Sequence, residues 1–137
     1  HLIGRKLSDN YRFEVGAAYQ RKALAFDSGH APANYQLAQD LLRMGEDAIG
    51  WELASKVAEQ DPYNVVAHNL MTLSDRLKGF RLLEADGIQV RMDEREAEIY
   101  GGRVLKLLTE AKQVLCEKYD VAPRAPIIVE IFPQQKD

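Results

Sequence analysis

Residues 58–69 read AEQDPYNVVAHN. A helical line of apolar residues, Ile49, Leu53 and Val57, runs up to this stretch, and a second line, Val66, Leu70, Leu73 and Leu77, leaves it. Between the lines stand Asp61-Pro62 and, three residues past the aspartate, Asn64. Proline has no amide hydrogen and clashes with the preceding turn, so it stops a helix. Asparagine accepts hydrogen bonds from unpaired amides, so it starts one. The stretch is a stop followed at once by a start. One such break makes a helix hairpin, whereas a break that recurs at fixed spacing makes an array.

The break recurs. Residues 11–26 carry Val15, Tyr19, Ala23 and Phe26 at helical spacing and end in Asp27-Ser28-Gly29, so Asp61 repeats Asp27 at a 34-residue offset. Between the breaks, the spacing of Leu37, Ala38, Leu41 and Leu42 predicts a helix over 34–44. Gly45 is the expected left-handed stop. Asp47 is the expected cap of a helix over 48–60, with Ala54 and Ala58 beside its apolar line, and Asn64 the cap of one over 65–77.

A helix-turn-helix unit with a 34-residue period resembles the tetratricopeptide repeat. Residues 31–64 carry the resemblance: Ala38 and Gly50 at its small-residue sites, Leu37 and Leu41 at large apolar sites, Pro62 as the terminal proline. The chain departs from the pattern where Asn34 replaces an aromatic, Ala54 replaces Phe or Tyr, and Ser28 replaces the earlier proline. The resemblance covers roughly residues 8–78; an unrelated helical bundle is the alternative. It implies an antiparallel helix-hairpin array that binds an extended peptide along the first helix of each repeat. On this chain those outward positions are Tyr35, Gln39 and Arg43, an aromatic face, an amide and a cation suited to a peptide or carboxylate.

After Lys78-Gly79 the apolar period drops from 3.6 to 2. Asp86-Gly87 between two alternating runs predicts a hairpin over 80–92, with Leu83, Ala85, Ile88, Val90 and Met92 on one face. Asp93 and Glu96 make a capping box for a helix over 94–119 lined by Ala97, Tyr100, Val104, Leu108, Ala111 and Leu115. Residues 127–132 read as a buried strand, and strand, long helix, strand predicts parallel neighbours. This order, with YDVAPRAPIIVEIFP at 119–133, resembles the opening of a gluzincin (peptidase-MA-like) metallopeptidase domain. The resemblance brings no catalytic residue: His1, His30 and His68 lack the His-Glu-x-x-His frame.

Composition narrows the function further. The chain has 137 residues, 46% hydrophobic and 28% charged, with a net charge of −3. Interspersed signs provide no basic stripe for nucleic acid and no polybasic cluster for a membrane surface. The longest apolar run, residues 126–129, is too short to span a bilayer. No signal peptide is visible, and the opening His1-Leu2-Ile3 reads as the middle of an apolar pattern, as in a fragment. Cys116 is expected as a buried thiol, His68 as a partly buried packing residue, and His30 as a solvated turn residue. Glu94, Glu96 and Glu98 are expected to complement a helix dipole. Trp51 is expected at a helix-pair boundary, and Gly101-Gly102 in close mid-helix packing.

The chain therefore reads as mainly α: a tetratricopeptide-like array over 1–78, then a small α/β segment over 79–137. The expected function is a soluble, non-catalytic protein–protein interaction or scaffold module with a protein or peptide partner and no cofactor, metal, nucleic acid or membrane. The alternative is the N-terminal part of a zinc-dependent peptidase whose catalytic region follows residue 137. About two repeats are fewer than a stack needs. The α/β segment is thus expected to cap the helices, or the chain to form a homodimer by sheet edge or helix exchange. The line Val66, Leu70, Leu73 and Leu77 falls on the groove side and is expected to be filled by the hairpin or its following helix. The histidines also yield a prediction: the chain binds no zinc tightly and hydrolyses no peptide. Stoichiometric zinc after dialysis, lost on substituting His68, would contradict it.

Overall fold

The computed structural model describes residues 1–124 and 126–133, so Ala125 and residues 134–137 of the second segment lie outside the described residues. The chain is mainly helical, with a small three-stranded sheet after the first five helices. It divides into two compact units, His1–Asp75 and Arg76–Asp137.

The first unit holds α1 (Leu2–Ser8), α2 (Phe13–Phe26), α3 (Ala31–Arg43), α4 (Asp47–Gln60) and most of α5 (Val65–Leu77). Helix α2 begins two residues later than the spacing predicts, because Tyr11 takes a left-handed φ of 60° after α1 closes. Helix α3 begins three residues earlier than predicted. His30 caps it by accepting from the Ala33 amide at 3.2 Å, and Pro32 sits in the first turn, where no amide hydrogen is needed. Gly45, at φ 81°, closes α3 in a Schellman motif: its amide bonds Leu42 and the Glu46 amide bonds Leu41 at 2.9 Å. Asp47 is not a cap. It is the first residue of α4, Glu46 holds the cap position without a side-chain bond, and Asp47 complements the dipole instead.

The two breaks are built from the same bonds, one period apart. Asp27 accepts from the Gly29 amide at 3.0 Å, and Asp61 accepts from the Tyr63 amide at 3.2 Å. The Asp27 carbonyl then takes the His30 amide at 3.2 Å, as the Asp61 carbonyl takes the Asn64 amide at 3.0 Å. Finally His30 Nδ1 caps Ala33, and Asn64 Oδ1 caps Ala67 at 3.0 Å. The helix crossings repeat at the same offset. A Cβ on Gly16 would overlap Ser8 Oγ and lie 3.1 Å from the Gly4 carbonyl oxygen. A Cβ on Gly50 would lie 2.7 Å from Leu42 Cγ and 3.3 Å from the Ala38 carbonyl oxygen. Each member of the first set stands one period before its counterpart.

Backbones this close leave room only for small side chains between them. The buried faces are Gly16, Ala17 and Gln20 on α2 and Gly50, Ala54 and Val57 on α4, with a glycine at each point of closest approach. The expected apolar lines turn outward in part: Val15 and Ile49 are exposed, and Phe26 is 94% exposed. Ala17, Leu37 and Leu41 form the core, with Leu24, Met44 and Leu53 against it. On α5, Ala67 is buried and His68 is exposed rather than packed, while Val66 is exposed and Leu70, Leu73 and Leu77 are half-buried.

The second unit holds β1 (Phe80–Ala85), β2 (Ile88–Asp93), α6 (Glu94–Tyr119) and β3 (Ile127–Ile131). Asp86 and Gly87 take φ of 51° and 74°, the paired left-handed conformations of a type I′ turn. That turn sets Ala85 opposite Ile88, Leu83 opposite Val90 and Arg81 opposite Met92. Asp93 caps α6 through the Arg95 and Glu96 amides at 3.0 and 3.3 Å. Strand β3 pairs parallel to β2, giving the order β1-β2-β3. As an edge strand, β3 is half-buried, not buried, and it ends one residue before the predicted limit. Ile88, Val90, Met92 and Ala97 form this unit's core with Leu83, Val104, Leu105, Leu108 and the inward residues of β3.

Two members of the predicted α6 stripe, Tyr100 and Leu115, are exposed. Gly101 takes the core position instead, where a Cβ would lie 2.5 Å from Leu83 Cδ1; Gly102 faces open space. The glycines therefore diverge under substitution. Gly16→Ala, which must displace a backbone carbonyl or the buried Ser8 hydroxyl, is expected to cost about 1–3 kcal/mol. Gly102→Ala is expected to stabilise by about 0.5–1 kcal/mol through helix propensity alone. Urea denaturation of the three proteins checks both signs.

Candidate functional site

A cleft in the first unit is lined by α1 and its ends, by α3, and by the turn into α5 with its first residues. Its volume is about 520 Å³. Helix α3 contributes Tyr35 and Gln36 on one turn and Gln39 on the next, α1 and its ends contribute His1, Arg5 and Asp9, and the approach to α5 with its first turn contributes Asp61, Asn64 and Val66. Helices α2 and α4 stand behind, because the small-residue crossings hold each against its predecessor and turn the other face of α1 and α3 outward.

Of the expected trio, Tyr35 and Gln39 meet: the Gln39 amide donates to Tyr35 Oη at 2.9 Å. Burial raises the Tyr35 pKa above the ordinary phenol value, against the charge of Arg43 and the bond from Gln39. The phenol therefore stays neutral and keeps its hydroxyl hydrogen as a donor. Arg43 does not join the cleft lining. Its guanidinium lies 5.0 Å from the centroid of the Phe13 ring, an attraction between cation and ring face.

The sequence reading missed His1, Arg5 and Asp9, although a signal for them was present. Subtracting the 34-residue period from 35, 39 and 43 gives 1, 5 and 9, and all three line the cleft. Residues 34 positions apart thus face one space. His1 Nδ1 lies 2.9 Å from Gln20 Oε1, and its ring centroid lies 5.4 Å from that of His30. His30 is consequently half-buried and structural rather than a solvated turn residue.

Beneath the cleft lies a carboxylate that sequence reasoning did not single out. Asp40 is 0% exposed. Ser8 Oγ donates to Asp40 Oδ2 at 2.8 Å, and Gln36 Nε2 donates to Asp40 Oδ1 at 3.1 Å. Burial raises the Asp40 pKa above the ordinary carboxylate value, and the bonds from Ser8 and Gln36 and the charge of Arg43 only partly offset it. The pair Ser8–Asp40 ties α1 to α3, and Gln36 carries the tie to the cleft floor.

Chemically the cleft offers a cation (Arg5), two carboxylates (Asp9, Asp61), a phenol and three side-chain amides. Such groups, with the His1 imidazole, hydrogen-bond to backbone amides and carbonyls. Among the described residues, no group of three His, Cys, Asp or Glu side chains is placed to hold a metal ion. No described helix is long and apolar enough to cross a membrane. Trp51 is half-buried on α4, away from the cleft lining. Glu94 and Glu98 are exposed in the first turns of α6. Cys116 is half-buried, not buried; with Leu108, Leu115 and Ile127 it walls an apolar cavity of about 260 Å³ in the second unit. The chain matches no protein-family model, no curated protein and no solved structure.

Asp40 carries a pH prediction. Its folded pKa is raised, so the folded state binds this proton more tightly than the unfolded state does. Its favourable contribution is present below the ordinary carboxylate value and is lost as pH rises through the raised one. Asp40→Asn, which keeps an acceptor for Gln36 and removes the buried charge, is expected to gain stability relative to the parent over that rise. Asp40→Ala, which strands Gln36 and leaves the Ser8 hydroxyl only the Gly4 carbonyl, is expected to lose stability at every pH. Thermal melts of the three proteins between acid and neutral pH check the divergence.

Proposed function

We propose that the first unit is a non-catalytic peptide-binding module of tetratricopeptide type whose cleft holds an extended segment of a partner protein. One observation carries this reading: turn bonds, caps and helix crossings share a single period, and the same offset brings His1, Arg5 and Asp9 into one cleft with Tyr35 and Gln39. The volume falls within the range of about 300–1,000 Å³ common for ligand sites. Amides from Gln39 and Asn64 can meet a peptide backbone, while Arg5 and the two aspartates select the charge of its side chains. The module needs no cofactor, and its mixed charge suits a polypeptide better than nucleic acid or a membrane surface.

A second reading, the leading part of a zinc-dependent peptidase, draws support from the antiparallel hairpin, long helix and parallel strand of the second unit. The parent coding sequence directly after Asp137 tests it. A His-Glu-x-x-His motif there would favour it, and an open reading frame lacking the motif would remove it.

The peptide reading is tested by panning a library of random peptides on the chain and titrating the strongest binder by calorimetry. Arg5→Ala, Tyr35→Ala and Gln39→Ala are each expected to weaken binding about tenfold, the loss of one hydrogen bond or charge contact of about 1.4 kcal/mol. His68→Ala, exposed and off the cleft lining, is expected to change it less than twofold. Failure to select any binder, or a binder indifferent to all three cleft variants, would overturn the proposal.

A further inference from the structure

Helix α6 carries charge on most of its solvent side, where Ile99 and one line of three residues are apolar. Tyr100, Leu107 and Val114 recur every seventh residue and are 55%, 64% and 61% exposed. Seven residues make nearly two helical turns, so the three side chains form a single seam. The core-facing positions Ala97, Gly101 and Leu108 lie on another side of the helix, against the sheet. Singly scattered apolar residues are ordinary on a surface, but a seam at heptad spacing is the pattern with which one helix seats another.

The geometry points to a second copy of this chain as the occupant, docked antiparallel on α6 about a two-fold axis through Leu107. Such an axis carries positions before Leu107 onto positions after it. Tyr100 then meets the partner's Val114, and Leu107 meets the partner's Leu107. Arg103 and Glu110 are both exposed and flank the same side of the seam, four residues before Leu107 and three after. The axis brings Arg103 beside the partner's Glu110 and repeats that contact at the other end. A parallel pair would set this flank against the partner's opposite flank, away from its Glu110, so the charge order selects the antiparallel arrangement. Glu110 already lies 3.8 Å from Lys106 on its own helix, an exposed contact that leaves a carboxylate oxygen for the partner's guanidinium. Three side chains per copy bury less than the roughly 800 Å² per partner of a standard interface, so the dimer is a weak one that dissociates on dilution. This association is separate from the peptide cleft, which lies in the other unit.

Sedimentation equilibrium of the whole chain across a wide concentration range tests it. The expected result is a reversible monomer–dimer equilibrium. Leu107→Glu should abolish the dimer with an unchanged circular dichroism spectrum and melting midpoint, because its side chain is largely exposed in the monomer. Arg103→Glu should weaken the dimer at least about tenfold, and adding Glu110→Arg should restore it, which a merely structural role for either residue would not do. In a Cys116→Ser background, Leu107→Cys should cross-link rapidly on mild oxidation, whereas Val114→Cys should need Tyr100→Cys as well. A chain that stays monomeric throughout would overturn the inference. So would a dimer indifferent to Leu107→Glu, or cross-linking as fast through Val114→Cys alone.

Discussion

The close approach of paired helices at Gly4–Gly16 and again at Ala38–Gly50 is the constraint from which the helical unit follows. At each crossing a hypothetical Cβ would lie within about 3.3 Å of the facing helix backbone, so a larger side chain would push the helices apart. Because both crossings use the same positions of a 34-residue frame, the two hairpins share one geometry. Hairpins that cross at the same positions, laid side by side, place their first helices on one side. The cleft is the space those helices leave.

Polar pinning distinguishes the first crossing from the second. At the second, Leu42 packs over Gly50; at the first, Ser8 stands in that place and reaches Asp40 on α3. Burying a carboxylate is unfavourable unless donors surround it, and two donors do so here. The arrangement gives up some stability at neutral pH, yet it fixes the rotation of α3 relative to α1, since any turn of α3 would strand the charge. Rotation of α3 decides which residues face the cleft, so a buried group sets the surface chemistry through Gln36.

In the second unit the central strand β2 does most of the structural work. Ile88, Val90 and Met92 are its inward residues and are nearly fully buried, while β1 and β3 on either side are only partly covered. One helix cannot blanket a three-stranded sheet. Gly101 lets α6 sit close over Leu83, and the cost of that closeness appears farther along, where α6 and β3 diverge around an apolar cavity walled by Cys116. The same close seat rotates Tyr100 off the core and into line with Leu107 and Val114.

Local chemistry made much of this legible. Asp61-Pro62, Gly45, Asn64, Asp86-Gly87 and Asp93 each act through bonds within a few residues, so several helix ends and the hairpin register could be read directly. The cap at His30 was not legible, because an imidazole nitrogen serves there in a position that shorter oxygen side chains usually fill. Tyr35 and Gln39, which a family resemblance implied, line the cleft, and His1, Arg5 and Asp9 stand one 34-residue offset before positions 35, 39 and 43. Arg43 left the groove for the ring of Phe13, and Asp40 found Ser8 on a helix far back in the chain, contacts that no local pattern encodes. Burial likewise belonged to the tertiary structure. Periodicity says which residues share a helix face, but the distance between backbones decides whether that face receives leucine or glycine, which is why Phe26 and Ile49 stand in solvent while Gly16 and Gly50 lie inside.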